Sequence, residues 1–136
     1  MTSVLPYLSE KDLKKVISTA ITYITTMSYE QMQAILYFFY YTDIKRKDIL
    51  KITRKEIEIS KRLEKNFYPK KLRMVLNKYF RSEPEINNAF NLTEKTLRYF
   101  FEKIKRYSNI KADVPTLKHA YKINKERREK WTYFFG

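Results

Sequence analysis

The side chains available for chemistry in this sequence are few in kind. There is no cysteine, one histidine (His119) and one glycine, at position 136. Thiol chemistry, disulfides and thiolate zinc sites are thereby excluded, as is a metal site built on several histidines. A glycine-rich phosphate loop and a nucleophile elbow both need glycines that are absent. Glu56 and Glu58 form a carboxylate pair on one face of a period-two segment, where neighbouring lysines balance them without acid–base work. What is left is chemistry done by lysine, arginine, histidine and tyrosine. Two stretches bring such residues to places where a short turn should feed a helix: TDIKRKDILK (42–51) and PTLKHAY (115–121). They are either ordinary solvated helix ends or two halves of one phosphate grip.

Charge favours a polyanionic partner. The chain has 136 residues, with 29 Lys and Arg against 15 Asp and Glu, a net charge of +14. A field of that sign draws nucleic acid, and anionic lipid is the rival. No run of about 20 apolar residues is present to span a bilayer. The opening MTSVLPYLSEKDLKK lacks a signal-peptide pattern. The expectation is a cytoplasmic protein, nucleoid-associated or viral, whose partner is double-stranded DNA and which engages no membrane.

Length and patterning then say what must position these residues. A chain of this size is one domain, and 43% hydrophobic residues suffice for a core. With 12 Tyr and 9 Phe, that core is built of rings, and the scarcity of glycine favours long helices with short connections. A first helix runs from Ser9 to about Thr25, with Ser9 and Asp12 as a capping box. Leu13, Val16, Ile17, Ala20, Ile21 and Ile24 recur on its inner face. A second helix opens at Ser28, with Gln31 completing another box. Its LYFFYY run (36–41) is apolar nearly all round, which marks the central helix. Asp43 caps a short third helix to about Leu50. KEIEIS (55–60) alternates with period two and reads as a strand, with 62–69 as its returning partner or a loop. Pro69 suits the first turn of the next helix. After a loop at 81–91, Thr93 caps an amphipathic helix to about Tyr107. Pro115 opens the last one, with Leu117, Ala120 and Tyr121 inward. A charge run, KERREK (125–130), and an aromatic end, WTYFFG, close the chain. The expected fold is mainly α: a single helical domain with at most a small two- or three-stranded sheet.

The order of these elements and motifs resembles the catalytic domain of tyrosine recombinases, the phage-integrase family. There a helix ends in a Thr-Gly-Leu-Arg-like turn, followed by Glu-Leu-Leu and a strand opening near Asp-Ile-Asp. Thr42 to Lys45 match the turn, Asp48 to Leu50 the Glu-Leu-Leu, and Glu56 to Glu58 the strand. The family's His-x-Leu-Arg-His-Thr-Phe box corresponds to Pro115 through Tyr121. YPKKLRMVLNKYF (68–80) resembles the helix after the family's hairpin. The likeness spans roughly residues 8–124, leaving 125–136 as a charged and aromatic tail. It implies catalytic positions at Lys45, Lys118 and His119, a hairpin lysine at Lys61 or Lys65, and Tyr133 as nucleophile. It implies no cofactor and no metal. Departures weigh against strand cleavage: lysines replace the family's phosphate-gripping arginines and lack their planar fork, and Tyr133 lies too close to Lys118. The implied protein binds DNA on a basic face with Lys45, Arg46, Lys61, Lys65, Lys118 and His119, cleaving weakly or not at all. Its further partner would be a full-length recombinase.

Two readings need no such descent. The segment NLTEKTLRYFFEKIKR (91–106) fits a helix-turn-helix-type regulator, with Thr93, Lys95, Thr96, Arg98, Lys103 and Arg106 reaching phosphates or base edges. Alternatively, the chain is a structural or interaction protein that docks or self-associates through its aromatic end.

Overall fold

The computed structural model describes residues 7–62, 68–82 and 88–135, with side chains except those of 61, 62 and 128–135. Among these residues there are seven helices: α1 (Glu10–Tyr23), α2 (Tyr29–Tyr41), α3 (Arg46–Ile49), α4 (Arg54–Arg62), α5 (Lys70–Ser82), α6 (Glu94–Tyr107) and α7 (Val114–Phe135). The chain is mainly helical, and no strand occurs among the described residues. One isolated antiparallel bridge joins Thr53 to Asn88, with Ala89 N–H donating to Ile52 O at 2.8 Å.

Local sequence explains most helix starts. Ser9 Oγ accepts from Asp12 N–H at 3.1 Å, and the Asp12 carboxylate accepts from Ser9 N–H at 3.2 Å, closing the expected box. Ser28 accepts from Gln31 N–H at 3.1 Å. The Gln31 side chain does not reach back to it; it donates to Phe90 O at 2.8 Å and ties α2 to the 88–92 segment. Asp43 is not the cap of α3. That position falls to Lys45, whose side chain makes no capping bond. Thr42 instead turns back on α2, donating to Phe38 O at 2.6 Å. Thr93 caps α6 as expected, accepting from Thr96 N–H at 3.1 Å. Asp113, which the sequence reading passed over, caps α7 by accepting from Thr116 N–H at 3.1 Å and its hydroxyl at 2.6 Å. Pro115 accordingly sits inside the first turn, where its missing N–H costs nothing.

The expected strand at 55–60 is a helix. Thr53 and Glu56 form a second full capping box: Glu56 N–H donates to Thr53 Oγ1, and Thr53 N–H to Glu56 Oε1, both at 3.1 Å. T-R-K-E is thus a helix-start signal that outweighs four residues of alternation. Ile57 is fully buried while Ile59 is 51% exposed, as 200° of helical rotation requires and a strand forbids. The last helix also corrects the sequence reading. KERREK and the aromatic residues after it continue α7 to Phe135 rather than forming a separate tail. On α1, Ile21 faces solvent, not the core.

Helix α2 is the centre. Met32 and every residue from Ala34 to Tyr40 are buried. It packs against α1, α5 and α7; α6 packs chiefly on α1 and touches α2 through Phe101. Rings fill the interior: Phe38 meets Phe90 edge-on at 5.4 Å, Phe90 stacks on Tyr79 at 5.8 Å, and Phe39 meets Phe101 at 5.8 Å. Polar ties run along the seams. Tyr40 O–H donates to Leu8 O at 3.0 Å, and Tyr7 O–H to Asn124 Oδ1 at 2.9 Å. Glu10 accepts from both Tyr41 and Lys71, so one carboxylate joins α1, α2 and α5.

Burial on α4 gives a direct check. Ile57→Ala should cost about 2–5 kcal/mol in urea unfolding, and Ile59→Ala within about 0.5. Equal losses at both would restore the strand.

Candidate nucleic-acid interface

Helix α6 has the clearest division of faces in the molecule. Leu97, Phe100, Phe101 and Ile104 are buried against the core, chiefly on α1. The remaining surface carries Lys95, Arg98, Lys105 and Arg106, all exposed. On one flank, α6, α3 and the 108–113 connector enclose an open groove of about 1030 Å³. Its basic lining is Arg46, Arg98, Lys105 and Lys111, its acidic lining Glu94, Glu102 and Asp113, and Phe101 and Ile104 contribute apolar floor.

The acids are partly engaged. Arg46 Nη2 pairs with Glu94 Oε1 at 3.0 Å, with both side chains more than a third exposed. A pair so wetted adds little stability, about 0–1 kcal/mol. It does fix where Arg46 sits. The Arg46 Nε is buried and has no hydrogen-bond partner among the described residues. Asp113 Oδ1 is held by the Thr116 backbone and hydroxyl. The connector is shaped by Ser108, whose Oγ accepts from Ile110 N–H at 3.0 Å, while Ile110 packs on the core. Lys111 is thus presented by an ordered turn.

The sequence-derived candidates divide. Arg46 and Arg98, drawn from two different readings, line the same groove. Lys45 is exposed beside it at the head of α3, and Lys95 is exposed on the first turn of α6; neither lines it. Lys118 and His119 are half-buried on α7 between the buried Leu117 and Ala120, and they do not line the groove either. Lys61 lies on α4 and Tyr133 on α7, but their side chains, and Lys65 altogether, are outside the described residues. Thr93 is committed to capping, and Thr96 is hydrogen-bonded to it at 2.9 Å. Lys105 and Lys111 were missed. Lys105 was legible, being seven residues from Arg98 and so on the same helical stripe. Lys111 had no signal, since only the folded connector brings it there.

A second notch, between α4 and α5, holds Arg54 and Arg81. The Arg54 guanidinium lies 4.5 Å above the Phe80 ring, so it packs rather than projects. Among the described residues no group of three His, Asp or Glu side chains could hold a metal ion. No helix among them is long and apolar enough to cross a membrane.

Tyrosine chemistry at neutral pH requires a lowered pKa or an adjacent base. The resolved shifts run the other way. Burial raises Tyr37, Tyr40, Tyr41 and Tyr68, Tyr40 to about 12, and the bond to Glu10 raises Tyr41 further. These four are structural hydroxyls. At Glu10 burial pushes the carboxyl up, but hydrogen bonds from Lys71 and Tyr41 and the charges of Lys71 and Lys14 bring it below its ordinary value.

Comparison with protein-family models, with characterised proteins and with solved structures finds no match.

The tyrosines give a pH prediction. Unfolded Tyr40 ionises near pH 10 and the folded one at about 12. Its contribution to stability is therefore whole below about pH 10 and is lost as pH rises through about 12. Across that window the wild-type chain should lose stability more steeply than Tyr40→Phe. At neutral pH Tyr40→Phe should cost about 1 kcal/mol, the worth of its bond to Leu8. Parallel alkaline unfolding curves would contradict this.

Proposed function

We propose that this protein binds double-stranded DNA through the Arg98–Lys105 flank of α6 and the groove that it lines. The reading rests on the meeting of Arg46, Arg98, Lys105 and Lys111 in one open groove, from three separate parts of the chain. Arginine and lysine so arranged suit phosphate oxygens: the guanidinium as a fork, the ammonium as a point charge. A net charge of +14 supplies the long-range attraction that brings a duplex to it. Helix α6 has 14 residues, about 21 Å, and a bare helix fits the major groove. It packs chiefly on α1 rather than on the helix before it in sequence. This favours a single recognition helix over a helix-turn-helix of consecutive helices.

Kinship with tyrosine recombinases is a separate proposal, carried by the two motif stretches alone. It places the phosphate at Lys45 and Lys118, with His119 beside it. The helical course of 54–62 takes away the strand that Glu56 to Glu58 were matched to. Docking on a full-length recombinase or self-association through the end of α7 belongs with that proposal.

Binding of a labelled duplex should weaken with salt, log affinity falling by about 0.9 per phosphate contacted for each unit of log salt. Arg98→Ala with Lys105→Ala should lower affinity for all duplex sequences alike and reduce that slope by about two. Should Lys45→Ala with Lys118→Ala cause the larger loss, the recombinase-like site is the binding site. Affinity insensitive to salt would overturn both.

A further inference from the structure

The other flank of α6 carries an exposed ladder of rings. Tyr23, at the end of α1, stacks on Tyr107, at the end of α6, with centroids 4.1 Å apart and planes 5° from parallel. The Lys103 ammonium lies 5.4 Å from the Tyr107 centroid and 5.4 Å from that of Tyr99. A ring stacked at 4.1 Å fills one face of Tyr107, so the ammonium takes the other. The order along the surface is Tyr23, Tyr107, Lys103, Tyr99. Both end residues are open to solvent, Tyr23 at 48% and Tyr99 at 40% exposure, and neither ring has a further aromatic or cationic partner among the described residues. None of the three hydroxyls has a hydrogen-bond partner among the described residues, so the rings are not there to hold a polar contact. Lys95 and Arg106 flank the ladder on α6. The adjoining part of α1, from Leu13 to Tyr23, contains no acidic residue.

We propose that this ladder is a stacking platform for unpaired bases of single-stranded DNA. Bases present a π-face whatever their sequence, and aromatic rings among cationic side chains bind them without hydrogen-bond readout. Two solvent-exposed tyrosine rings with an ammonium between them, and cations beside them, fit that partner. The cations on and beside the ladder, with no carboxylate on the adjoining stretch of α1, favour a polyanion over a protein partner. The inference takes DNA as the partner from the proposal above but uses a different flank of α6. Together the two surfaces suit a duplex that ends in, or opens into, a single strand.

The experiment measures affinity by fluorescence anisotropy for three labelled probes. They are a blunt duplex, the same duplex with an oligothymidine tail, and an oligothymidine of about 12 nucleotides, within the range one such surface covers. The tail should raise affinity about tenfold over the blunt duplex. Tyr99→Leu is the main variant because Tyr99 touches Lys103 of its own helix and its loss leaves the α1–α6 stack in place. It should abolish the gain from the tail and weaken oligothymidine binding about tenfold, with blunt-duplex affinity unchanged. Tyr99→Trp should preserve both, since the ring face and not the hydroxyl is used. A tail that adds nothing, while blunt-duplex binding still depends on Arg98 and Lys105, overturns the platform alone. Tyr99→Leu and Tyr23→Leu chains that melt normally and bind oligothymidine as the wild type does overturn it as well. Failure to bind any of the three probes overturns the platform and the duplex reading together.

Discussion

Helix α2 has almost no solvent side. Met32 and Ala34 through Tyr40 are all buried, so the helix must be covered on nearly every face. Burial of that much apolar surface is the dominant favourable term in the fold, at about 25 cal/mol per Å². The covering elements come from both ends of the sequence: α1 on one side, α5 and α7 on others. The segment at 88–92 closes the remaining gap, with Phe90 between Phe38 and Tyr79. Helix α6 lies along α1 and also reaches α2, with Phe101 against Phe39. The position of α6, and with it the groove and the ring ladder, follows from the need to hide α2.

The same constraint accounts for the charge. A core of rings and aliphatic side chains leaves the charged residues no place but the surface, and here 29 of those are Lys or Arg against 15 Asp or Glu. Arg46 pairs with Glu94, and Lys71 with Glu10. Both acids are occupied in joining elements. Glu94 joins α6 to α3, and Glu10 joins α1 to α5 and, through Tyr41, to α2. These two carboxylates are used for assembly, while Lys95, Arg98, Lys105 and Arg106 on α6 are left facing water. Self-repulsion in such a surface destabilises the compact state, and a polyanion relieves it.

Much of the fold was legible, and where it was not the reasons are specific. Ser9–Asp12, Ser28 and Thr93 announced three helices because a cap is a local event, settled within four residues. The centrality of α2 was legible because a segment apolar on every side can sit nowhere else. At 55–60 two local signals compete; the alternation was read and the Thr53–Glu56 box was passed over. A short alternating run is compatible with either structure, whereas a reciprocal cap satisfies two orphan backbone donors only in a helix. Asp43 failed as a cap because Thr42 Oγ1 was already turned to Phe38 and accepts from Ile44 N–H at 3.3 Å, setting the helix start two residues later. Of the groove, Arg46 and Arg98 could be named from sequence. Their meeting could not, because it depends on how α3 is carried past α6 by a connection no local pattern encodes.

Helix α6 shows how one element can serve more than one surface. Counting round the helix at 100° per residue, Leu97, Phe100, Phe101 and Ile104 occupy one sector. Glu94, Arg98 and Lys105 occupy the next, and Tyr99, Lys103 and Tyr107 the sector beyond. The first sector fixes the helix on α1 and the core. The second needs α3 and the connector beside it to become a groove. The third needs only Tyr23 from α1. Because the buried sector is held by four large apolar side chains, each polar sector adds only one contact between elements, Glu94 with Arg46 and Tyr107 with Tyr23, and leaves its other side chains uncommitted. Each is free to be chosen for what it meets outside. That independence explains how a flank rich in guanidinium and ammonium groups and a flank of exposed rings can lie about 10 Å apart on one helix without compromising the fold.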